Sequence, residues 1–433
     1  MNLLTLSLAD VRHRKLANSL HLILLTLGVS IITALLLISS EIAGRLQRDA
    51  DGIDMVIGAK GSPLQLILST VYHLDIPTGN IPLDEANRWA HNPMVAQAIP
   101  LSLGDNTKGF RIIGTTPDLL QHYHGQLQGG RLWQQPMEAV IGAEVAKAGL
   151  KLDQPFVGVH GLGAGGHVHA DHPYKVVGVL QPTGSVLDRL ILTSLDSVWE
   201  IHAAHHHHDA DDRDEDHDAD HDGDHDASHD SGHAEGQGAA PPVPGAAPGY
   251  DPSKEITALL IHYRSPLAAI ALPRMVNSQS MLQAAVPAFE TARLLQLLGL
   301  GFDTLRALAG VLIITAALSA FVALYNAMET RQYDLAVLRS LGASRGKVVA
   351  ILWIQALVLS AAGTLLGLLL GHLAVEAIGR LANTARGVDL SGLVLLWEEL
   401  PILLLPLVVG TVAALIPAWR AYRSDLATTL SGA

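Results

Sequence analysis

Four long apolar stretches constrain the fold of this chain more than any other feature. They occupy residues 19–42, 305–328, 348–375 and 393–419. Each is long enough to cross the hydrocarbon core of a bilayer as an α-helix, which takes about 20 residues. No small-residue cleavage site directly follows the first stretch, which favours a retained anchor over a cleaved signal peptide. The sequence therefore predicts an integral membrane protein with four transmembrane helices.

Basic residues near the ends of these stretches predict their orientation. Arg12, Arg14 and Lys15 precede the first stretch, and four more basic residues lie in the short segment 329–347 between the second and third. Positive charge marks cytoplasmic loops. We therefore expect a bacterial inner-membrane protein with both termini in the cytoplasm and residues 43–300 in the periplasm.

The two terminal segments fit this orientation. Residues 1–18 place Leu4, Leu8 and Val11 on one helical face, which predicts an amphipathic helix on the inner membrane surface. Residues 420–433 are predicted to form a cytoplasmic tail.

The long segment between the first two stretches has mixed character. Residues 110–116 and 174–181 are β-rich runs that end at turn residues, and a helical pattern from about 284 to 306 leads into the second stretch. The predicted fold class is an integral membrane α-helical protein with four transmembrane helices. A large α+β extracytoplasmic domain is inserted between helices 1 and 2.

A run of histidine and aspartate interrupts this domain. Together with the Pro/Gly-rich segment that follows, it predicts a disordered loop over residues 203–253, because so polar a segment buries too little apolar surface to fold. Imidazole and carboxylate groups bind zinc-like divalent ions. The candidate ligands are His205, His206, His207, His208, His217, His221, His225, His229 and His233. The alternative is an acidic linker that binds metal without a physiological role.

A second histidine cluster lies in a Gly-rich turn of the same domain. Its candidate metal ligands are His160, His167, His169 and His172, of which His167 and His169 are spaced as a chelating pair. An exposed turn with incidental histidines explains the same pattern. His122 and His124 give a weaker indication of the same kind.

Several classes of function are excluded by what the sequence lacks. The net charge is −13, but nearly all of it comes from residues 202–235, and no basic patch supports a nucleic-acid partner. The absence of cysteine excludes disulfides and thiolate metal sites. Walker A, HExxH and GxSxG motifs are also missing. We therefore expect no enzyme activity and no catalytic cofactor in this chain.

The third apolar stretch contains a double GxxxG pattern formed by Gly363, Gly367 and Gly371. Glycines at this spacing let another helix approach closely. The pattern predicts tight helix packing, either within the chain or across a dimer.

The segment 329–371 resembles the FtsX-like, or MacB-like, permease family of ABC transporters. The resemblance implies that an acidic residue, a Leu-Arg pair and a Gly-Ala-Ser turn dock on the ATPase subunit. The corresponding residues here are Asp334, Leu338, Arg339, Gly342, Ala343 and Ser344, and Tyr333 precedes the acidic residue. The family more often has Arg-Glu where this chain has Tyr333-Asp334. The C-terminal segment 413–430 is also similar to the family, although Leu426 replaces a common proline.

The resemblance implies how such a protein works. Members act as homodimers with cytosolic ATP-binding subunits, so ATP is expected on the partner. Many move their extracytoplasmic domains by mechanotransmission through the first two spans rather than passing substrate across the membrane. Segments 51–82 and 181–202 resemble a subgroup that is often accompanied by metal-binding extracytoplasmic partners.

Three functions remain open at this point. The first is a mechanotransmitting permease that engages an extracytoplasmic or lipoprotein partner, with the histidine loop binding zinc-like ions. The second is a metal ion transporter with a true translocation path. The third is a metal-responsive regulator of envelope enzymes.

Overall fold

The computed structural model describes residues 15–159, 171–201, 254–330, 344–386 and 391–423. The chain divides into two compact units. One contains Met1–Arg45 with Arg293–Ala433, and the other contains Leu46–Ala292. We call them the membrane unit and the outer domain.

Nine α-helices have bounds within the described residues. They are α1 (Lys15–Ala50), α2 (Pro63–Thr70), α3 (Leu83–Ala90), α4 (Asp118–His122), α5 (Ala143–Lys147), α6 (Pro266–Gln279), α7 (Pro287–Thr330), α8 (Arg345–Arg386) and α9 (Glu399–Arg423). A 3₁₀ helix covers Val186–Arg189, and residues 195–201 form one further short helical segment.

The outer domain contains twelve strands in its described part. They are β1 (Met55–Ala59), β2 (Ile81–Pro82), β3 (Val95–Thr107), β4 (Phe110–Thr115), β5 (Leu127–Gly130), β6 (Glu138–Ile141), β7 (Pro155–Phe156), β8 (Tyr174–Leu180), β9 (Leu190–Thr193), β10 (Glu255–Ile256), β11 (Ala258–Tyr263) and β12 (Leu282–Ala285). The strands β4 and β8 lie where the β-rich runs at 110–116 and 174–181 predicted them.

One ten-stranded mixed sheet organises this domain. Its order is β12-β1-β11-β3-β4-β9-β6-β8-β5, with β7 paired to β8, and β4–β9 and β6–β8 are its parallel pairs. The strand pair β10–β2 stands apart. The predicted α+β character is therefore confirmed.

The outer domain has two apolar clusters. One packs Met55, Ile57 and Ile261 of the central strands against Leu272 of α6. The other gathers residues of β4, β6, β8 and β9 together with Val145 of α5. Burial of such side chains, about 1.5–3 kcal/mol each relative to exposure, is the main driving force for this packing.

Three helices are long and apolar enough to cross a membrane in the described part of the chain. They correspond to Asn18–Ala50, Pro287–Val322 and Val349–Leu381, and a shorter apolar helix covers Glu399–Leu415. The predicted fourth stretch thus contains an apolar helix, Glu399–Leu415, that is shorter than the three candidate spans.

The helix boundaries differ from the predicted stretches. The helix α1 continues past residue 42 to Ala50, and α7 begins at Pro287 rather than near residue 305. The helix α9 begins at Glu399 rather than at residue 393. A carboxylate is favourable at a helix N-terminus, and Pro401 has no N–H with which to continue the helix further back. Hydropathy alone does not detect these end signals.

Candidate coupling site

The last turn of α1 is fixed to the outer domain through Asp49. The Tyr123 hydroxyl donates a hydrogen bond to the Asp49 carbonyl oxygen at 2.6 Å. The Arg189 guanidinium lies 3.7 Å from the Asp49 carboxylate, which is nearly buried. Burial raises the pKa of Tyr123, and the neighbouring Asp49 charge raises it further, so the phenol stays a donor at neutral pH. This end of α1 is therefore attached to the domain core.

The first turn of α7 has a similar attachment. The Tyr72 hydroxyl makes a short hydrogen bond with the Thr291 hydroxyl, and both side chains are buried. Burial raises the pKa of Tyr72, while the hydrogen bond to Thr291 opposes this shift. Tyr72 follows α2, whose side chains pack in the core of the same domain. One tyrosine hydroxyl of the outer domain thus binds the last turn of α1, and another binds the beginning of α7.

Two histidines pack against the turn that follows α1. His122 Nδ1 and His262 Nε2 are 3.0 Å apart, and the turn residue Gly52 (φ +73°) leaves them room. The pKa of His122 is lowered to about 4, mainly by burial and also by the neighbouring His262, whereas Asp51 opposes the shift. The pKa of His262 is also lowered by burial. Both rings are therefore neutral near pH 7.

The glycines of the predicted double GxxxG lie against α1. A Cβ atom added at any of them would come within 2.8 Å of a side chain of α1. The pairs are Gly363 with Leu25, Gly367 with Val29, and Gly371 with Thr33. The spacing of four residues on both helices makes one continuous seam within the chain. Thr26 also donates a hydrogen bond to the Gly363 carbonyl oxygen at 3.3 Å.

Two further contacts hold the membrane unit together. Nδ1 of His21, on α1, lies 2.7 Å from the Ala316 carbonyl oxygen of α7. Gly28 approaches the Ala309 carbonyl and the Ile313 side chain of the same helix. The helix α1 therefore packs on α7 as well as on α8.

The predicted ATPase-docking residues lie mostly outside the described residues. Tyr333, Asp334, Leu338, Arg339, Gly342 and Ala343 all fall there. Ser344 is described, and its hydroxyl and carbonyl oxygens accept from the Lys347 N–H at 3.4 and 3.0 Å. Ser344 is thus the N-cap of α8.

Most of the predicted metal ligands also fall outside the described residues. This applies to the nine histidines of 203–253 and to His160, His167 and His169, whereas His172 is described and partly buried. Within the described ranges, no three His, Cys, Asp or Glu side chains converge in a way that could hold a metal ion. The metal-binding hypothesis therefore stays a prediction.

The tyrosine attachments were not predicted from the sequence. Tyr123 and Asp49 are 74 residues apart in the chain, and Tyr72 and Thr291 are 219 apart. No local spacing links such residues. Asp49 is one of several polar residues at the end of α1, so its type gave no distinct signal.

Two family models match the sequence. Residues 306–426 match the FtsX-like permease C-terminal model, and residues 19–213 match the MacB-like periplasmic core domain model. The chain belongs to the FtsX-like and MacB-like permease family. It is accordingly a membrane permease of the ABC transporter type with a periplasmic α+β domain. No curated protein matches the sequence.

Solved structures show similarity at low identity. The periplasmic region of MacB from Actinobacillus actinomycetemcomitans is 12% identical, with a TM-score of 0.31, over 57% of this chain and 95% of that one. The extracellular domain of the noncanonic ABC-type transporter YknZ from Gram-positive bacteria is 9% identical, with a TM-score of 0.29, over 53% and 98%. The family assignment rests on the two sequence models alone.

Proposed function

We propose that this permease couples ATP hydrolysis on a separate cytosolic ABC subunit to movement of its periplasmic domain. The observation that carries the proposal is the course of α1, which is unbroken from Lys15 to Ala50. Its middle packs on the glycine seam of α8, and its last turn is tied to Tyr123. An intact helix transmits a tilt or a shift along its length, whereas a flexible linker would absorb it.

The proposal includes a topology and a set of partners. The chain has four spans and cytoplasmic termini, and the segment 329–347 docks on the ATPase through the residues that match the family motif. Two copies form a homodimer with two ATPase subunits. A periplasmic or lipoprotein partner receives the movement of the outer domain.

Metal binding is a second part of the proposal. The nine histidines of 203–253 lie among carboxylates and offer imidazole ligands to zinc-like ions. Such a segment has no preorganised cage, so we expect moderate affinity and poor selectivity. Metal bound there is a signal or a cargo for the periplasmic partner rather than a cofactor of catalysis.

Docking on the ATPase is tested by charge reversal in the motif. Asp334→Lys and Arg339→Glu should each abolish co-purification of the cytosolic ATPase subunit and its stimulation in lipid. Arg331→Glu is the matched control, because it reverses a charge in the same segment outside the motif. Full complex formation by both motif variants would refute this docking surface.

A metal flux assay separates the transporter alternative from mechanotransmission. The complex is reconstituted in vesicles with a zinc-sensitive dye inside, and ATP is supplied to the ATPase side. Mechanotransmission predicts ATP hydrolysis without movement of zinc across the bilayer. ATP-dependent zinc flux would instead establish a translocation path.

A further inference from the structure

The segment 391–398, between α8 and α9, exposes large apolar side chains. Leu393, Leu395 and Trp397 are 80%, 82% and 84% exposed. Val394 between them is 45% exposed, so four of the five apolar residues from 393 to 397 are uncovered. Soluble surfaces rarely gather such residues in a contiguous patch. We therefore expect another apolar surface to cover this segment.

Polar side chains of α8 and α9 form hydrogen bonds with the backbone of this segment. The His372 Nδ1–H donates to the Gly392 carbonyl oxygen at 2.6 Å, and the Gly392 N–H donates to Glu376 at 3.2 Å. Glu399 is 7% exposed, lies 3.2 Å from His372 Nε2, and accepts the Leu396 N–H at 3.1 Å. The carboxylates of Glu376 and Glu399 thus bind the backbone of the segment, whereas Glu398 and the large apolar side chains are exposed.

Gly392 fixes the segment on α8. A Cβ atom at this position would collide with the His372 carbonyl oxygen and lie 2.7 Å from the Glu376 nitrogen. Only glycine lets the backbone come this close. The exposed face is therefore held in one position against the helix.

The apolar face continues onto the neighbouring helices. On α8, Leu369 and Leu373 are 56% and 54% exposed, and on α9, Leu400 and Leu404 are 46% and 48% exposed. Leu369 and Leu373 belong to a helix that is a candidate membrane span, and Leu400 and Leu404 belong to the shorter apolar helix α9. In the four-span topology proposed above, lipid covers all four side chains. The segment 391–398 joins the ends of the same two helices. Tryptophan is enriched where hydrocarbon meets lipid headgroups.

We propose that residues 391–398 lie in the membrane interface, with Leu393, Leu395 and Trp397 inserted among the lipids of one leaflet. The partner is the lipid surface, recognised by an apolar face whose adjacent carboxylates at 376 and 399 are turned away from it. The exposed Glu398 lies at the headgroup level. The segment anchors the ends of α8 and α9 at a fixed depth, and this inference does not depend on the proposed coupling to an ATPase.

The absence of cysteine makes the test direct. Single-cysteine variants of the full chain, Leu393→Cys, Leu395→Cys and Trp397→Cys, are labelled with an environment-sensitive fluorophore in lipid nanodiscs. Quenching is measured with aqueous iodide and with bromine-labelled lipids. Ser391→Cys is the matched control, because it is an exposed polar position of the same segment. The three apolar sites should be quenched by bromolipids and protected from iodide relative to Ser391→Cys.

Two results would overturn the proposal. Iodide quenching as strong as at Ser391→Cys would place the face in water. Protection from both quenchers would show that protein covers it, either a second copy or another part of this chain. A further variant, His372→Ala, removes the contact to Gly392 and should increase iodide quenching at position 397. The three cysteine positions are independent, so failure of one variant to fold leaves the test intact.

Discussion

The Tyr123 hydroxyl donates a hydrogen bond to the Asp49 carbonyl oxygen across 2.6 Å and so joins the periplasmic domain to the last turn of α1. The other end of this helix packs in the membrane unit, on α7 and α8. A single helix thus contributes residues to both units of the chain.

Removal of the Tyr123 hydroxyl should weaken the attachment. Tyr123→Phe removes one buried hydrogen bond, and we expect a loss of about 1 kcal/mol in the free energy of unfolding of the periplasmic domain. Hydrogen exchange of the full-length protein in lipid measures this loss. Tyr263→Phe is the control, because the buried Tyr263 hydroxyl has no hydrogen-bond partner within the described residues. Equal effects of both variants would contradict the role of Tyr123.

A larger side chain at Gly367 should separate α8 from α1. An added Cβ would lie 2.6 Å from the Val29 Cβ, so Gly367→Leu should cost about 1–3 kcal/mol, as overpacking of a core does. Thermal unfolding in lipid provides the measurement. Gly310→Leu is the control, because no atom lies within 4 Å of a Cβ at that position. A stable Gly367→Leu variant would show that the seam tolerates separation.

The periplasmic domain should lose stability in mild acid through the His122–His262 pair. Both pKa values are lowered in the folded state, that of His122 to about 4. The unfolded chain therefore binds more protons as the pH falls below about 6.5. The contribution of the two neutral histidines to the free energy of unfolding is therefore complete above that pH. It is lost progressively as the pH falls toward 4.

Replacement of the pair tests this pH dependence. The double variant His122→Gln/His262→Gln should unfold with a flatter dependence on pH between 7 and 4, whereas His91→Gln, at an exposed position, should keep the native slope. Thermal unfolding across this range gives both slopes. An unchanged slope in the double variant would assign the acid sensitivity to other groups.

Zinc should act through the histidine segment if metal is a signal for this permease. We expect the ATPase activity of the complex in lipid to change on zinc titration, and this response to disappear when residues 203–236 are deleted. A variant with the same length and its histidines replaced by serine separates metal binding from segment length. Equal, zinc-insensitive rates in all three proteins would reduce the segment to a linker or a passive metal reservoir.

The sequence predicted the features that depend on local pattern. Hydropathy located α1, α7 and α8, β-rich runs ended by turn residues located β4 and β8, and the spacing of Gly363, Gly367 and Gly371 predicted a close helix contact. The sequence left open whether that contact was within the chain. The structure brings these glycines to α1 of the same chain.

Features that depend on distant pairing could not be predicted. The Tyr72–Thr291 and Tyr123–Asp49 bonds arise only after the ten-stranded sheet brings remote segments together. Helix ends were missed for another reason. The ends of α1 and α7 within the outer domain are set by their packing there, and hydropathy reports only the apolar middle of each helix.

The central claim is that ATP turnover moves the periplasmic domain through α1. The most direct measurement is a pulsed EPR distance between nitroxides at Lys108→Cys, in the periplasmic domain, and Ser391→Cys, in the membrane unit. The complex with its ATPase is compared with ADP and with a trapped ATP state. The account predicts that the distance distribution shifts on trapping, and that Tyr123→Phe reduces the shift while hydrolysis continues. An unchanged distribution during full ATP hydrolysis would contradict mechanotransmission.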